Sequence, residues 1–323
     1  MVVVTGVAGF IGHHTASMLL DHGYRVSGID SLTDYYDRQV KLRNLGRLLD
    51  RDGFAFRQAT ISPATARGLF AGAAAVIHLA AQPGVRDSWR HFDTYVDRNV
   101  RVTKTVLDAA LDGGVERVVC ASSSSVYGDA PSYPTREDGP LSPRSPYGIT
   151  KLAAERLAVA YGTERGLSTV SLRYFTVYGP RQRPDMAIQR MLHAAYSGDT
   201  FPIYGDGTQI RDFTYIRDVA RANCLSAVFE VEPGEVFNVC SEHPVTLNDV
   251  IAAIETATGR PIVRERHEVA VGDVVRTGGS ADHIRRVLGW EPMTSLLEGI
   301  AQQAEAVRAS LELPLPGVTS SAS

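Results

Sequence analysis

Two side chains four residues apart, Tyr147 and Lys151, carry the first chemical signal in this chain: a phenol beside an ammonium. The surrounding stretch, residues 122–151, reads S-S-S-S-V-Y-G, then a loop containing several prolines, then S-P-Y-G-I-T-K. Ser145 as N-cap and Pro146 at the first helical position predict a helix that puts Tyr147 and Lys151 one turn apart on one face. A tyrosine with an ordinary pKa of about 10 is a poor base near neutrality, and a cation alongside favours its phenolate. Each unit of lowering corresponds to about 1.4 kcal/mol, so Lys151 and a second nearby positive charge would both count. Taken alone, Y-x-x-x-K also describes a surface helix whose Tyr packs and whose Lys is solvated, so the surroundings decide.

Those surroundings begin at the first residues. An apolar run at residues 2–4 leads into T-G-V-A-G-F-I-G and then a helix-length apolar segment through Leu20 that stops at Gly23. In this strand, turn and helix, Gly6 permits the tight turn, Gly9 lets the backbone approach a pyrophosphate and Gly12 lets the helix pack closely. A second strand, residues 25–29, ends at Asp30, where an acidic side chain meets an adenosine ribose and favours NAD over NADP. Asp30 as a mere cap or turn residue is the plainer alternative. An oxidised nicotinamide would then be the second positive charge near Tyr147.

More strand signals follow at residues 54–58, 75–79 and 117–121, separated by helical stretches that include residues 95–110. Alternating strands and helices predict a parallel, doubly wound sheet, whose ligands bind at the carboxyl ends of the strands. H-L-A-A-Q at residues 78–82 and the serine run from Ser122 both fall at such ends. His78 itself reads as a packed, hydrogen-bonded histidine with no chemical role.

Composition narrows the class. A chain of 323 residues with 44% hydrophobic residues and net charge -3 is long enough for one large domain or two intimate ones. The 33 basic and 36 acidic residues leave no basic field for nucleic acid and no polybasic membrane anchor. The chain enters its first strand directly and has no run of membrane-spanning length, so a cytoplasmic protein is expected. Cys120, Cys224 and Cys240 are widely spaced and read as small hydrophobes, neither disulfides nor metal ligands.

The set T-G-V-A-G-F-I-G, H-L-A-A-Q-P-G-V-R, S-S-S-S-V-Y-G, S-P-Y-G-I-T-K, L-R-Y-F-T-V-Y-G-P and R-D-F-T-Y-I-R-D-V resembles the extended short-chain dehydrogenase/reductases that act on nucleotide sugars. The resemblance spans nearly the whole chain. It implies a Rossmann-type α/β fold with a smaller C-terminal substrate-binding lobe, NAD as cofactor, and Ser123, Tyr147 and Lys151 as catalytic residues. The nucleotide-sugar 4,6-dehydratases of this group carry an Asp-Glu pair where Ser124 and Ser125 stand here, which argues against dehydration. D-Y-Y-D-R-Q-V-K-L-R-N at residues 34–44 and F-T-V-Y-G-P-R-Q-R-P-D-M-A at residues 175–187 look like the UDP-glucuronate 4-epimerases in particular.

For NAD, the resemblance implies contacts from Gly6, Gly9, Phe10, Ile11, Gly12, Asp30, Thr60, Ile61, Leu79, Ala80, Ala81, Gln82, Asn99, Tyr147, Lys151 and Tyr174. Thr60 departs from the Asp that caps adenine in many relatives. For the sugar, a C6 carboxylate calls for a guanidinium with hydroxyls around it, and Arg183, Thr176, Ser124 and Ser125 could supply these, with Arg86 as a further member and Val85 nearby. Arg211 and Arg276 match positions that clamp the UDP pyrophosphate, with Gln209 beside them, Asp273 at the uridine ribose and Tyr204 near the uracil.

The expected organisation is an NAD-binding domain over residues 1–175, rejoined by residues 213–240, a UDP-sugar lobe over residues 176–312, and a loose tail, residues 313–323. A homodimer through the two long helices is implied by the resemblance. Lys151 is expected to lower the Tyr147 pKa and hold the nicotinamide ribose. Inversion at C4 of UDP-glucuronate is the leading activity. A 4-epimerase of neutral UDP-hexoses, a UDP-glucuronate decarboxylase and a non-catalytic NAD-binding scaffold stand behind it.

Overall fold

The apolar run at the start of the chain forms a strand, Val2–Thr5 (β1), buried along its whole length as an interior strand of a parallel sheet must be. It lies at the centre of a computed structural model that describes residues 1–268 and 274–312. After it come α1 (Phe10–Asp21), β2 (Val26–Asp30), α2 (Arg38–Leu49), β3 (Phe54–Gln58), α3 (Ala66–Phe70) and β4 (Ala75–His78). A short α4 (Phe92–Tyr95) runs through a π-helical segment, Val96–Arg101, into α5 (Val102–Asp112), followed by β5 (Arg117–Ser123), α6 (Pro146–Arg165) and β6 (Thr169–Tyr174).

Beyond β6 lie β7 (Thr176–Tyr178), α7 (Ala187–Ser197), β8 (Phe201–Tyr204), β9 (Ile210–Arg211), β10 (Phe213–Tyr215), α8 (Ile216–Val228) and β11 (Glu235–Val239). The remainder is β12 (Val245–Thr246), α9 (Leu247–Thr258), β13 (Arg264–His267), α10 (Asp282–Leu288) and α11 (Leu296–Glu312).

Seven strands pair in parallel in the order β3-β2-β1-β4-β5-β6-β11, which makes this a Rossmann-type α/β fold. Successive side chains of β1 point to opposite faces: Val2 and Val4 join the core under α1 and α8, and Val3 joins the one under α3 and α5. The strand order reverses between β1 and β4, so the crevice outside their carboxyl ends is the natural ligand site. The last strand arrives late: α8 packs on α1, and β11 pairs with β6. Between these returns the chain builds a smaller lobe of two-stranded pairs, β10 with β7, β9 with β12 and β8 with β13, packed with α7, α9 and α11.

Candidate active site

The glycine turn between β1 and α1 is closed by contacts that leave no room for side chains. Gly6 has φ +70°, and a Cβ on it would lie 2.9 Å from the Ala80 nitrogen. A Cβ on Gly12 would lie 2.1 Å from the Gly6 carbonyl oxygen, so only glycine lets α1 begin this close to the turn. At the end of β2 the Asp30 carboxylate accepts backbone N–H groups from Ala8, 3.1 Å, and Leu32, 2.8 Å. Those two bonds fix its orientation at the mouth of the turn.

Glycine turn, Asp30 and the ends of β3 to β6 line one cavity of about 580 Å³. Gly9, Phe10, Ile11, Thr60, Ile61, Leu79, Ala80, Ala81, Gln82 and Tyr174 all border it, as do Ser123, Ser124, Ser125, Tyr147, Lys151, Thr176 and Arg183. A bare-backbone turn at a helix start with an acid at the end of the adjacent strand fits NAD, with the pyrophosphate over the α1 N-terminus and Asp30 at a ribose. Asn99 does not border this cavity. It is 1% exposed, and its carboxamide is engaged by the Gln82 backbone at 2.7 and 3.1 Å and by Thr150 at 3.1 Å. It therefore fixes the loop after β4 to the π-helical segment and to α6.

Tyr147 and Lys151 sit on α6 as their spacing predicts. Ser145 caps α6 by accepting the Gly148 N–H at 3.1 Å, and Pro146 opens the first turn. A Cβ on Gly148 would lie 2.7 Å from the Ser125 carbonyl oxygen, so this glycine lets the start of α6 press against the serine run. Ser123, at the end of β5, pairs in register with Tyr174 of β6, and its hydroxyl lies close enough to Tyr147 to favour the ionised phenol.

The electrostatics depart from expectation. Burial raises the Tyr147 pKa above the usual tyrosine value, against downward pulls from the Ser123 hydroxyl and from the Arg183 charge. The expectation that Lys151 lowers it is not met: the groups that do so are Ser123 and Arg183. The Lys151 ammonium donates to the Ala121 carbonyl at 2.6 Å, and burial pushes its own pKa down to about 8, partly offset by Cys120 and Glu155. Desolvation outweighs Coulomb attraction at both members of the pair.

Arg183 enters from the other side of the cavity, in the loop after β7. Its guanidinium forms a two-pronged pair with Asp185, Nε to Oδ1 at 2.9 Å and Nη2 to Oδ2 at 2.8 Å. His14 bonds the Pro180 carbonyl at 2.8 Å, Arg181 donates to Asn44 at 2.9 Å, and the Gly179 N–H donates to the buried Gln303 at 2.9 Å, tying this loop to α1, α2 and α11.

The other predicted sugar-nucleotide residues form a separate group outside the cavity. Arg86, expected as a member of the carboxylate pocket, does not border the cavity with Arg183; it stacks on the Tyr204 ring at 4.3 Å, joining the loop after β4 to the small lobe. Gln209 donates to the Tyr204 carbonyl at 3.2 Å, Arg211 donates to the carbonyls of Ile210 at 2.9 Å and Val275 at 3.3 Å, and Arg276 stacks on Tyr133 at 4.6 Å. Val85 uses its carbonyl to accept the Ser88 hydroxyl at 2.6 Å. Asp273 and the tail lie outside the described residues.

Also bordering the cavity are Tyr35, Tyr36, Lys41 and Arg98, to which the motifs assign no individual role. Lys41 is buried, donates to Thr33 at 2.7 and 2.9 Å and lies 4.9 Å over the Tyr36 ring; Arg98 donates to Gln82 at 2.6 Å. The Y-Y of D-Y-Y-D and the Lys four residues beyond Asp37, the N-cap of α2, were the available clue. His78 is a packed residue, bonded to Thr5 at 2.9 Å and Thr103 at 3.2 Å, with burial pushing its pKa down to about 3. Among the described residues no cluster of side chains could hold a metal ion, and no helix is long and apolar enough to cross a membrane.

Comparison with known proteins agrees with this geometry. Over 319 residues the chain is 39% identical to the UDP-glucuronate 4-epimerase of Thermodesulfobacterium geofontis, covering 96% of this chain and 97% of that one. It is 37% identical over 306 residues to the uncharacterized UDP-glucose epimerase YtcB of Bacillus subtilis, with 94% and 96% covered. The crystal structure of the UDP-glucuronic acid 4-epimerase of Bacillus cereus in complex with UDP-glucuronic acid and NAD superposes with a TM-score of 0.91 at 35% identity, covering 96% of this chain and 99% of that one. A profile described as the NAD dependent epimerase/dehydratase family matches residues 2–240. The chain belongs to that family.

Proposed function

We propose that this protein is a nucleotide-sugar 4-epimerase that inverts C4 of UDP-glucuronate to give UDP-galacturonate. What chiefly supports the substrate is one observation: the Arg183 guanidinium borders the same cavity as Tyr147, near enough for its charge to act on the phenol. The relatives named for UDP-glucuronate point the same way.

Bound over the glycine turn, NAD supplies a reversible hydride acceptor and, when oxidised, a positive charge. Tyr147 takes the proton of the sugar C4 hydroxyl and later returns it, directly or through Ser123. Lys151, anchored to the Ala121 carbonyl, holds the nicotinamide ribose. Arg183, Thr176, Ser124 and Ser125 hold the C6 carboxylate. A 4-keto uronate is a β-keto acid and loses CO2 when its carboxylate bond aligns with the carbonyl π system, so this grip must also keep the carboxylate out of that alignment. Arg211, Arg276, Gln209, Tyr204, Val85, Arg86 and Asp273 belong to the UDP side.

An NMR time course with UDP-glucuronate beside UDP-glucose tests the reading. A new UDP-galacturonate anomeric signal is expected; UDP-galactose alone would remove the carboxylate grip and leave the chemistry at Tyr147. The neutral-hexose reading keeps a place because Asp185 already neutralises Arg183, and because one relative is named for UDP-glucose. We further place the protein in the cytoplasm as a homodimer through α5 and α6. Its NAD-binding domain spans residues 1–175 with 213–240, and its substrate lobe spans residues 176–312.

A further inference from the structure

The guanidinium that would grip the substrate carboxylate is already gripping one. Arg183 and Asp185 sit on a single tight turn: the Met186 N–H donates to the Arg183 carbonyl at 3.2 Å, with Pro184 at the second position, where its fixed φ suits a turn. This short, proline-stiffened link keeps the Asp185 carboxylate within reach of the Arg183 fork, and both prongs are made. Arg183 borders the cavity with its side chain 21% exposed, whereas Asp185 lies outside the cavity with its side chain 39% exposed. The cation therefore borders the cavity and the anion backs it, close enough for its charge to act on the cavity-lining phenols of Tyr35 and Tyr36.

We propose that Asp185 is an internal counter-ion that sets the sugar preference of the site, by occupying the Arg183 fork until a substrate carboxylate exchanges with it. This rests on the proposed uronate reading. Both ligands of the fork are carboxylates of the same shape, so a hexuronate gains only the difference between its own pairing and that of Asp185. A neutral hexose offers CH2OH in that place and cannot displace Asp185, so Arg183 stays paired and the sugar meets no uncompensated buried charge. Asp185 thus tempers selection for the anion and lowers the penalty for the neutral sugar. Because the exchange is a side-chain rotation about a fixed turn, it needs no movement of the loop, which His14, Arg181 and Gln303 hold.

The experiment is calorimetric binding of UDP-glucuronate and of UDP-glucose to the NAD-loaded protein, comparing wild type with Asp185→Asn and Asp185→Ala. The side chain is partly exposed, so both variants are expected to fold. The expected result is a crossover: UDP-glucuronate binds about five- to tenfold tighter, as for release of one modest ion pair, and UDP-glucose binds more weakly. A role in loop structure alone would move both affinities in the same direction, and that outcome, or a shift of preference towards UDP-glucose, overturns the proposal. Binding needs no turnover, so the crossover reads Asp185 even if wild type makes no UDP-galacturonate, a result that would count against the proposed function instead.

Discussion

The cavity and the separate group of residues proposed for the UDP side are built in different ways. At the cofactor end the contacts are made by backbone: glycines that admit no Cβ, the Asp30 carboxylate fixed by two N–H groups, a capped helix pressed onto a serine run. Nothing there has to move for the cavity to exist. At the proposed nucleotide end the long side chains are engaged with the protein itself, Arg86 on Tyr204, Arg276 on Tyr133 and Arg211 on backbone carbonyls. A site made of backbone is preformed, whereas one made of long side chains drawn from two lobes forms by exchanging partners.

The strongest test of that contrast removes chemistry from the preformed end without changing its shape. Tyr147→Phe is expected to lower kcat by about two to four powers of ten and leave UDP-sugar affinity within about threefold, measured by turnover and calorimetry. Gly148→Ala attacks the shape itself. Its new methyl meets the Ser125 carbonyl oxygen, a backbone atom that cannot rotate aside, and α6 must back away from the serine run. We expect kcat to fall about ten- to a hundredfold and stability to drop by about 1–3 kcal/mol, read from denaturant midpoints. Wild-type values for both would mean that the close approach does not position Tyr147.

Lys151→Met separates stability from activity. The ammonium has a folded pKa of about 8 because burial disfavours its charge; unfolded, it returns to about 10.4. A cation with a lowered folded pKa opposes folding below that pKa, and the penalty fades as pH rises from about 8 towards 10.4, where the folded chain sheds its proton before the unfolded one. The substitution removes the penalty and also the bond to Ala121. Ligand-free Lys151→Met should therefore be about 1–2 kcal/mol more stable than wild type at pH 7, with little gain at pH 10, while turnover is lost. Urea midpoints at the two pH values check this.

What the sequence made legible was local. Strand, glycine turn and helix at residues 2–20, the Asp at the next strand end, and S-P-Y-G with its cap each work through residues a few positions apart, and each lies in the structure where the spacing put it. The competition at Tyr147 was not legible, because spacing reports that a lysine is near but not how much water both groups lose. Lys41 and Tyr36 border the cavity through a fold of α2 back over the glycine turn, a contact that periodicity does not encode. R-P-D was visible as letters, and only the turn geometry shows Arg183 closed on Asp185. The Arg86 contact with Tyr204, across 118 residues of chain and two lobes, belongs to the same class.

That contact supplies the smallest expected effect and the finest test of the contrast. Stacking of a guanidinium on an exposed ring contributes about 0.5–1 kcal/mol, and this one links the loop after β4 to β8. If the clasp helps hold the lobes together around a bound nucleotide, Arg86→Ala raises the KM of the UDP-sugar about two- to fivefold with kcat unchanged, and NAD affinity does not move. Tyr204→Ala should do the same, and the double variant should add little, since each single change already removes the shared contact. A lower KM in Arg86→Ala would reverse the sign, making the clasp a barrier that the nucleotide must open, and the nucleotide end would then be closed before binding. Additive effects would separate the two residues and make each a ligand of the nucleotide in its own right.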